Sequence, residues 1–313
     1  MSSTFTSIEK VLLGTSLEGR EIRSISIDGC SDKAFAIPLS VADIDEVAWR
    51  VGREAIHITS RWPVVVWICG SSGAGWAVDL EKQFTRFPFE QEYLSSRKGN
   101  IPYDIIEASK NLDLDRELNR MSERFTEDIH NCIDDFIEDT IGRFGHGPVY
   151  DEVAKAIQEH RIYNLQDLES WFFNWEIAAN GSLALQIEPQ QLYYLDWFVP
   201  PQYDDIALVF LPTSYSWEVP AFLSWYGAEC TSSELVVALL RDWSDRFGAE
   251  IVCHYSTMLQ LVTSRLPSSP AEAMRLAVEQ YVIAPDTVVG GISIRDHARA
   301  LLHTHRWFLH ARP

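Results

Sequence analysis

At 313 residues and 46% hydrophobic content, the chain is longer than one hydrophobic core usually sustains, so two domains, or one domain with a large insertion, are expected. Its 45 acidic against 26 basic residues give a net charge of −19, which disfavours nucleic-acid phosphates and anionic membranes as partners; a basic protein or a cation suits it better, and plain solubilisation is the simpler use of the same charge. Met1 to Lys10 lack a basic stretch followed by an apolar one, and five cysteines without a CxxC pair predict neither disulfide framework nor zinc knuckle, so a cytoplasmic chain with reduced thiols and no cofactor is expected.

In chain order, short strands are expected at Val11–Leu13 and Ile22–Ile27, with Asp28-Gly29 as a turn. Ser40 and Asp43 form a capping box for a helix whose stripe is Ile44, Val47, Val51, Ala55 and Ile58. Trp62–Cys69 is a β-branched run suited to a buried central strand and too short to cross a bilayer. The stretch from Phe84 to Gly181 differs in kind, being helical and acidic. Apolar residues at a spacing of three and four run from Leu114 through Ile129 and Ile133 to Ile141, predicting one long amphipathic helix with Gly142 at its end. Between Asp104 and Asp139 stand 12 acidic and 4 basic residues, mostly on that helix's polar face.

Shorter helices are expected at Asp151–His160 and after Asn164, the latter with Leu165, Leu168, Trp171 and Trp175 as its apolar edge. Strand signals return from Leu183, and no lysine follows Lys155. Ile206–Leu211 reads as a buried strand, and Ser233–Phe247 as a helix with Leu235, Leu239, Trp243 and Phe247 inward and Gly248 at its end. Glu250–His254 and Met258–Ser264 can pair as a hairpin. Ser269 with Glu272, and Ser293 with Asp296, cap two further helices before a closing strand at Arg306–His310.

These elements give an α+β fold class: a mixed or antiparallel sheet with flanking helices, plus a mainly helical acidic middle segment. The expected divisions are residues 1–83 as an N-terminal α/β segment, 84–181 as an acidic helical insertion, and 182–313 as a C-terminal α+β domain. Trp225-Tyr226-Gly227-Ala228, Leu240-Arg241-Asp242-Trp243, Arg246 to Glu250, Glu272-Ala273, Pro285-Asp286 and Arg306-Trp307-Phe308 resemble the pattern of the bacterial domain-of-unknown-function family 4253. The resemblance covers about Ile206 to Pro313, and Arg61 to Val65 is similar to the family's upstream strand. It implies a fold and no chemistry.

Catalytic motifs are incomplete. Cys69 to Trp76 has the glycine spacing of a phosphate loop, yet Trp76 and Ala77 replace the lysine and hydroxyl that neutralise phosphate and hold magnesium. Ser72 has Gly70 before it but Ala74 after it, an imperfect nucleophile elbow. Glu54/His57 and Glu127/His130 have the spacing of helical metal ligands, but Glu127, His130 and Asp134 lie off the apolar stripe, where a solvated surface is the simpler reading. His297 shares a face with Ile294 and Leu301, as a hydrogen-bonded core histidine does. His303 and His305 sit where imidazolium would cap a helix end, and a zinc site with His310 would need His254 or Glu250 as well.

Loop aromatics anchor interfaces more often than cores, which singles out Trp217, Trp225 and Tyr226. With Asp134, Asp135, Glu138 and Asp139, they make the expected binding surface of a non-catalytic, immunity-like or regulatory factor whose partner is a basic protein, a toxin or a regulated protein. The competing class is a hydrolase, metal-dependent through Glu/His residues or serine-dependent through Ser72.

Overall fold

The computed structural model describes residues 3–27, 29–39, 47–68, 101–122, 129–195, 206–223, 225, 227, 231–288 and 292–312. They fall into two compact units. A sheet unit comprises Met1–Leu112, Tyr194–Arg265 and Arg306–Pro313, and a helical unit comprises Asp113–Tyr193 and Leu266–His305. The architecture is α+β.

The sheet unit is built on a seven-stranded sheet of order β1-β2-β4-β3-β5-β6-β7. The strands are β1 (Arg23–Ile25), β2 (Ala34–Leu39), β3 (Trp62–Trp67), β4 (Ile206–Leu211), β5 (Glu250–Tyr255), β6 (Met258–Val262) and β7 (Arg306–His310). All pairings are antiparallel except β3 with β5. β3 and β4 lie in the interior of the sheet, which is why both are apolar along their whole length rather than alternating. β2 was not evident from sequence because Pro38 interrupts it. The strand tolerates the proline because β1 pairs only as far as Ala36, so on that side no ladder bond is due from residue 38.

The helices α1 (Ser3–Leu12), α2 (Val47–Glu54), α3 (Ile56–Thr59), α4 (Ile101–Ser109), α9 (Val219–Phe222) and α10 (Ser233–Phe247) belong to the sheet unit. The strand expected at Val11–Leu13 is instead the end of α1. Ile8 and Leu12 recur at helical spacing and are buried, Phe5 meets Phe35 edge-on, and Leu13 is left exposed. In α2, Trp49 donates its indole N–H to the Pro63 carbonyl at 3.1 Å. The stripe continuing from Val51 and Ala55 does not reach Ile58. The chain re-enters a separate turn of helix at Ile56, which turns Ile58 to solvent and buries Thr59 instead. The capping residues Ser40 and Asp43 lie outside the described residues. α10 follows its expected bounds, with Leu235, Leu239, Trp243 and Phe247 buried and Gly248 closing it at φ 63°. Trp243 and Phe247 meet Trp307 of β7 edge-on at 5.9 and 5.4 Å.

The helical unit contains α5 (Leu114–Ser122), α6 (Ile129–Phe144), α7 (Tyr150–Gln158), α8 (Leu165–Asn180), α11 (Pro270–Ile283) and α12 (Ile294–Leu301). The amphipathic stripe expected on one helix from Leu114 to Ile141 is carried by α5 and α6, with residues 123–128 outside the described residues, and α6 continues past Gly142, the expected end, to Phe144. Met121, Ile129 and Ile133 are buried, whereas Ile141 is exposed. Ile129 and Ile133 join Val153, Ala156, Ile162, Leu168 and Phe172 in one apolar cluster. In α8 the buried residues are Gln166, Leu168, Glu169, Phe172, Phe173 and Glu176, so two carboxylates occupy the face that Trp171 and Trp175 were expected to share. The predicted caps are formed: Asn164, Ser269 and Ser293 accept from the amides of Asp167, Glu272 and Asp296. Ser268 adds a bond from its own amide to the Glu272 carboxylate, 2.7 Å.

Among the described residues no helix is long and apolar enough to cross a membrane.

Candidate functional site

The apolar cluster of the helical unit fixes which way α6 faces. With Ile129 and Ile133 inward, Asp134, Asp135 and Glu138 stand exposed on the opposite side. Among the described residues these three carboxylates have no ion-pair or hydrogen-bond partner. Past Glu138 the same helix exposes Ile141, and Val149 and Tyr150 are exposed where α7 begins. An acidic row thus shares α6 with an exposed apolar residue.

Asp139 is different. Its carboxylate accepts from the Arg295 guanidinium, so it is already engaged within the unit. Arg295 is the centre of a buried charge network that composition could not reveal. Its Nη1 lies 3.2 Å from Glu169 and its Nε 3.2 Å from Glu176. Arg299 binds the other oxygen of Glu176, reaches Asp296 at 2.6 Å, and donates through Nε to the Ala184 carbonyl at 2.7 Å. Thr140 donates to Glu176 at 3.0 Å, and Arg143 joins Asp296 at 2.6 Å. The side chains of Arg295, Arg299, Glu169 and Glu176 are 3%, 1%, 6% and 1% exposed, so each needs its partners to offset desolvation. Aromatic faces complete the shell, with Arg295 over Phe136 at 4.7 Å and Arg299 over Phe173 at 5.5 Å.

The electrostatics follow the geometry. Burial pushes the Glu169 carboxyl up against the pull of Arg295. Burial alone would lower Arg295, but Glu169, Glu176 and Asp139 outweigh it and hold it above the usual guanidinium value. Arg299 is lowered by burial, with Glu176 and Asp296 opposing. Asp296 is held down because Arg299, Ser293 and Arg143 outweigh the upward push of burial. With each charge in contact with at least one of opposite sign, the network fastens α6 and α8 to α12.

The predicted aromatics separate in the sheet unit. Trp217 is half-buried and stacks on Tyr215 at 4.6 Å and 23°, and Tyr215 is 52% exposed, so this pair does present a surface. Next to it, Thr213 donates to the Glu218 carboxylate, whose protonation is favoured by burial. Trp225 was expected on the surface and is instead 1% exposed. The indole lies against Gly227, where a Cβ would come 2.6 Å from its Cζ3; the glycine makes room for a core ring rather than for a loop anchor. Tyr226 lies outside the described residues, as do Ser72 with the whole Cys69–Trp76 motif, and Glu127.

The histidines do not gather. His57 is exposed and bonds the Glu54 carbonyl through Nδ1 at 2.9 Å, while the Glu54 carboxylate takes no part in that bond. His297 is fully buried and pairs with Gln280 at 2.8 Å, the core histidine expected, and burial pulls it down to about 3. His303 bonds the Leu185 carbonyl at 2.9 Å instead of capping its own helix. His254 is buried in β5 and lowered to about 4, and Glu250 is engaged by Arg53. Among the described residues no group of three or more His, Cys, Asp or Glu side chains is arranged to hold a metal ion.

No curated protein and no solved structure matches the chain. One family model does, over residues 207–310, and these supply β4 to β7 with α9 and α10 to the sheet unit and α11 and α12 to the helical unit. The C-terminal region of this chain is therefore a DUF4253 domain, described as a domain of unknown function.

Proposed function

We propose that this protein is a non-catalytic, cytoplasmic binding factor, immunity-like or regulatory, that engages a basic protein through the outer face of α6. The observation that carries the reading is the contrast within one helical unit. Asp139, Glu169, Glu176 and Asp296 are all matched by arginines, whereas Asp134, Asp135 and Glu138 are exposed without partners among the described residues. Exposed carboxylates in a row attract a basic surface by a long-range, salt-screened force, and the apolar residues beside them add contact area once it has docked. The Tyr215/Trp217 pair supplies a second contact of the kind interfaces use, on the sheet unit.

The test is the salt dependence of binding. A photo-crosslinker placed at Asp134 captures the partner in the cell, and its affinity for the purified full chain is then measured from low to high salt. Affinity is expected to fall as salt rises, and the triple variant D134N/D135N/E138Q is expected to bind more weakly with most of that slope removed. A partner whose binding has the same salt slope with both chains would remove the electrostatic basis of the reading.

A further inference from the structure

In the helical unit, α5, α8 and α11 enclose an open groove of about 610 Å³, a volume of the size that holds small ligands and short segments of chain. Its floor is apolar and regular: Met274, Val278 and Val282 succeed one another along α11 at intervals of four residues, or about 6 Å. Its walls carry polar side chains, Asn119 and Ser122 from α5 and Ser170 and Asn174 from α8, with Leu118 and the carboxylate of Asp115 beside them on α5. Asn119 and Asn174 are exposed and have no partner among the described residues.

Among the described residues that line the groove the one cation, Arg275, is already neutralised. Arg275 donates through Nε to Glu279 at 2.7 Å and lies 3.4 Å from Asp115 through Nη2. Two carboxylates against one guanidinium leave the groove with one excess negative charge, which repels phosphate or carboxylate ligands. What the walls offer is carboxamide, a group that donates and accepts together and so matches a peptide main chain. The spacing agrees: alternate side chains of an extended peptide lie about 6.6 Å apart, close to the interval along α11.

We infer that this groove binds a short extended peptide segment of a protein partner, with alternate apolar side chains over Met274, Val278 and Val282, main-chain amides on Asn119 and Asn174, and a basic residue toward Asp115. The inference rests on the protein-binding reading above and names a site separate from the acidic row of α6.

The experiment pans a phage-displayed library of linear peptides on the full chain and measures synthetic fluorescein-labelled versions of the enriched sequences by anisotropy. Enrichment of peptides with alternating apolar residues and a basic one is expected. Val278→Glu should weaken them about tenfold or more, and Asn174→Ala, which changes an exposed side chain, about threefold. The D134N/D135N/E138Q chain should bind the same peptides within about twofold. Urea midpoints show whether Val278→Glu remains folded; where it does not, Asn174→Ala and Asn119→Ala decide. Absence of enriched peptides, or affinities indifferent to these variants, overturns the groove while leaving the salt test of α6 standing. Groove binding that persists when the salt slope is absent supports the groove alone.

Discussion

Glu176 and Asp139 both bind arginines of α12, yet their burial makes them unequal. Glu176 is 1% exposed and serves Arg295, Arg299 and Thr140 together, so Glu176→Ala takes a buried carboxylate from two buried guanidinium groups at once, leaving Arg295 with Glu169 and Asp139 and Arg299 with Asp296. The expected loss is about 3–5 kcal/mol, read as a lower urea midpoint. Asp139 is 63% exposed, and Asp139→Asn leaves Arg295 with Glu169 and Glu176, so the expected loss is below about 1 kcal/mol. Equal losses at the two positions would contradict the burial on which the network depends. Only part of this could be read from sequence. The exposure of Asp134, Asp135 and Glu138 follows from helical spacing, because an apolar stripe fixes its own opposite face. The fate of Asp139 does not, since an arginine 156 residues away decides it. Trp225 shows the same limit for aromatics: a tryptophan beside a glycine reads as a loop anchor until the ring is seen lying on the glycine.

At the scale of elements, capping signals were the most dependable guide, because a cap is a local bond between residues three apart. Ser269, Ser293 and Asn164 each accept the amide the sequence assigned to them. Ser269→Ala should cost about 1 kcal/mol and fray the start of α11, visible as faster amide exchange at Glu272. Unchanged exchange there would mean that packing, not the cap, holds the first turn. The central strands β3 and β4 were equally legible, since burial on both faces leaves an uninterrupted apolar run. The elements that were misread are those whose evidence is short or tertiary. Three residues at Val11–Leu13 read as a strand when detached from Ile8, and β2 is hidden by a proline that only the shortness of β1 permits. The buried face of α8 was misplaced because two of its inward residues are glutamates, paired by arginines on another element.

The whole molecule carries a built-in acid sensitivity. His297 in the helical unit and His254 in the sheet unit are buried and lowered to about 3 and about 4, whereas in the unfolded chain they titrate near 6.5. As pH falls below about 6.5, the unfolded state takes up protons that the folded state refuses. Stability therefore declines by about 1.4 kcal/mol per pH unit for each histidine, down to the folded values. Urea midpoints should fall between pH 7 and pH 5 and change little from these groups above pH 7; flat midpoints across the lower range would show that the two rings are not held neutral. The path of the chain has a further effect. β6 and β7 are neighbours in the sheet, but the chain leaves the sheet unit at Arg265 and returns at Arg306, having built α11 and α12 on the way. During synthesis the edge of β6 therefore waits, its ladder groups open, until two helices of the other unit have left the ribosome. A messenger truncated anywhere between those points leaves the buried, apolar β6 as the edge of the sheet in place of the half-exposed β7, and an apolar edge is an expected site of aggregation.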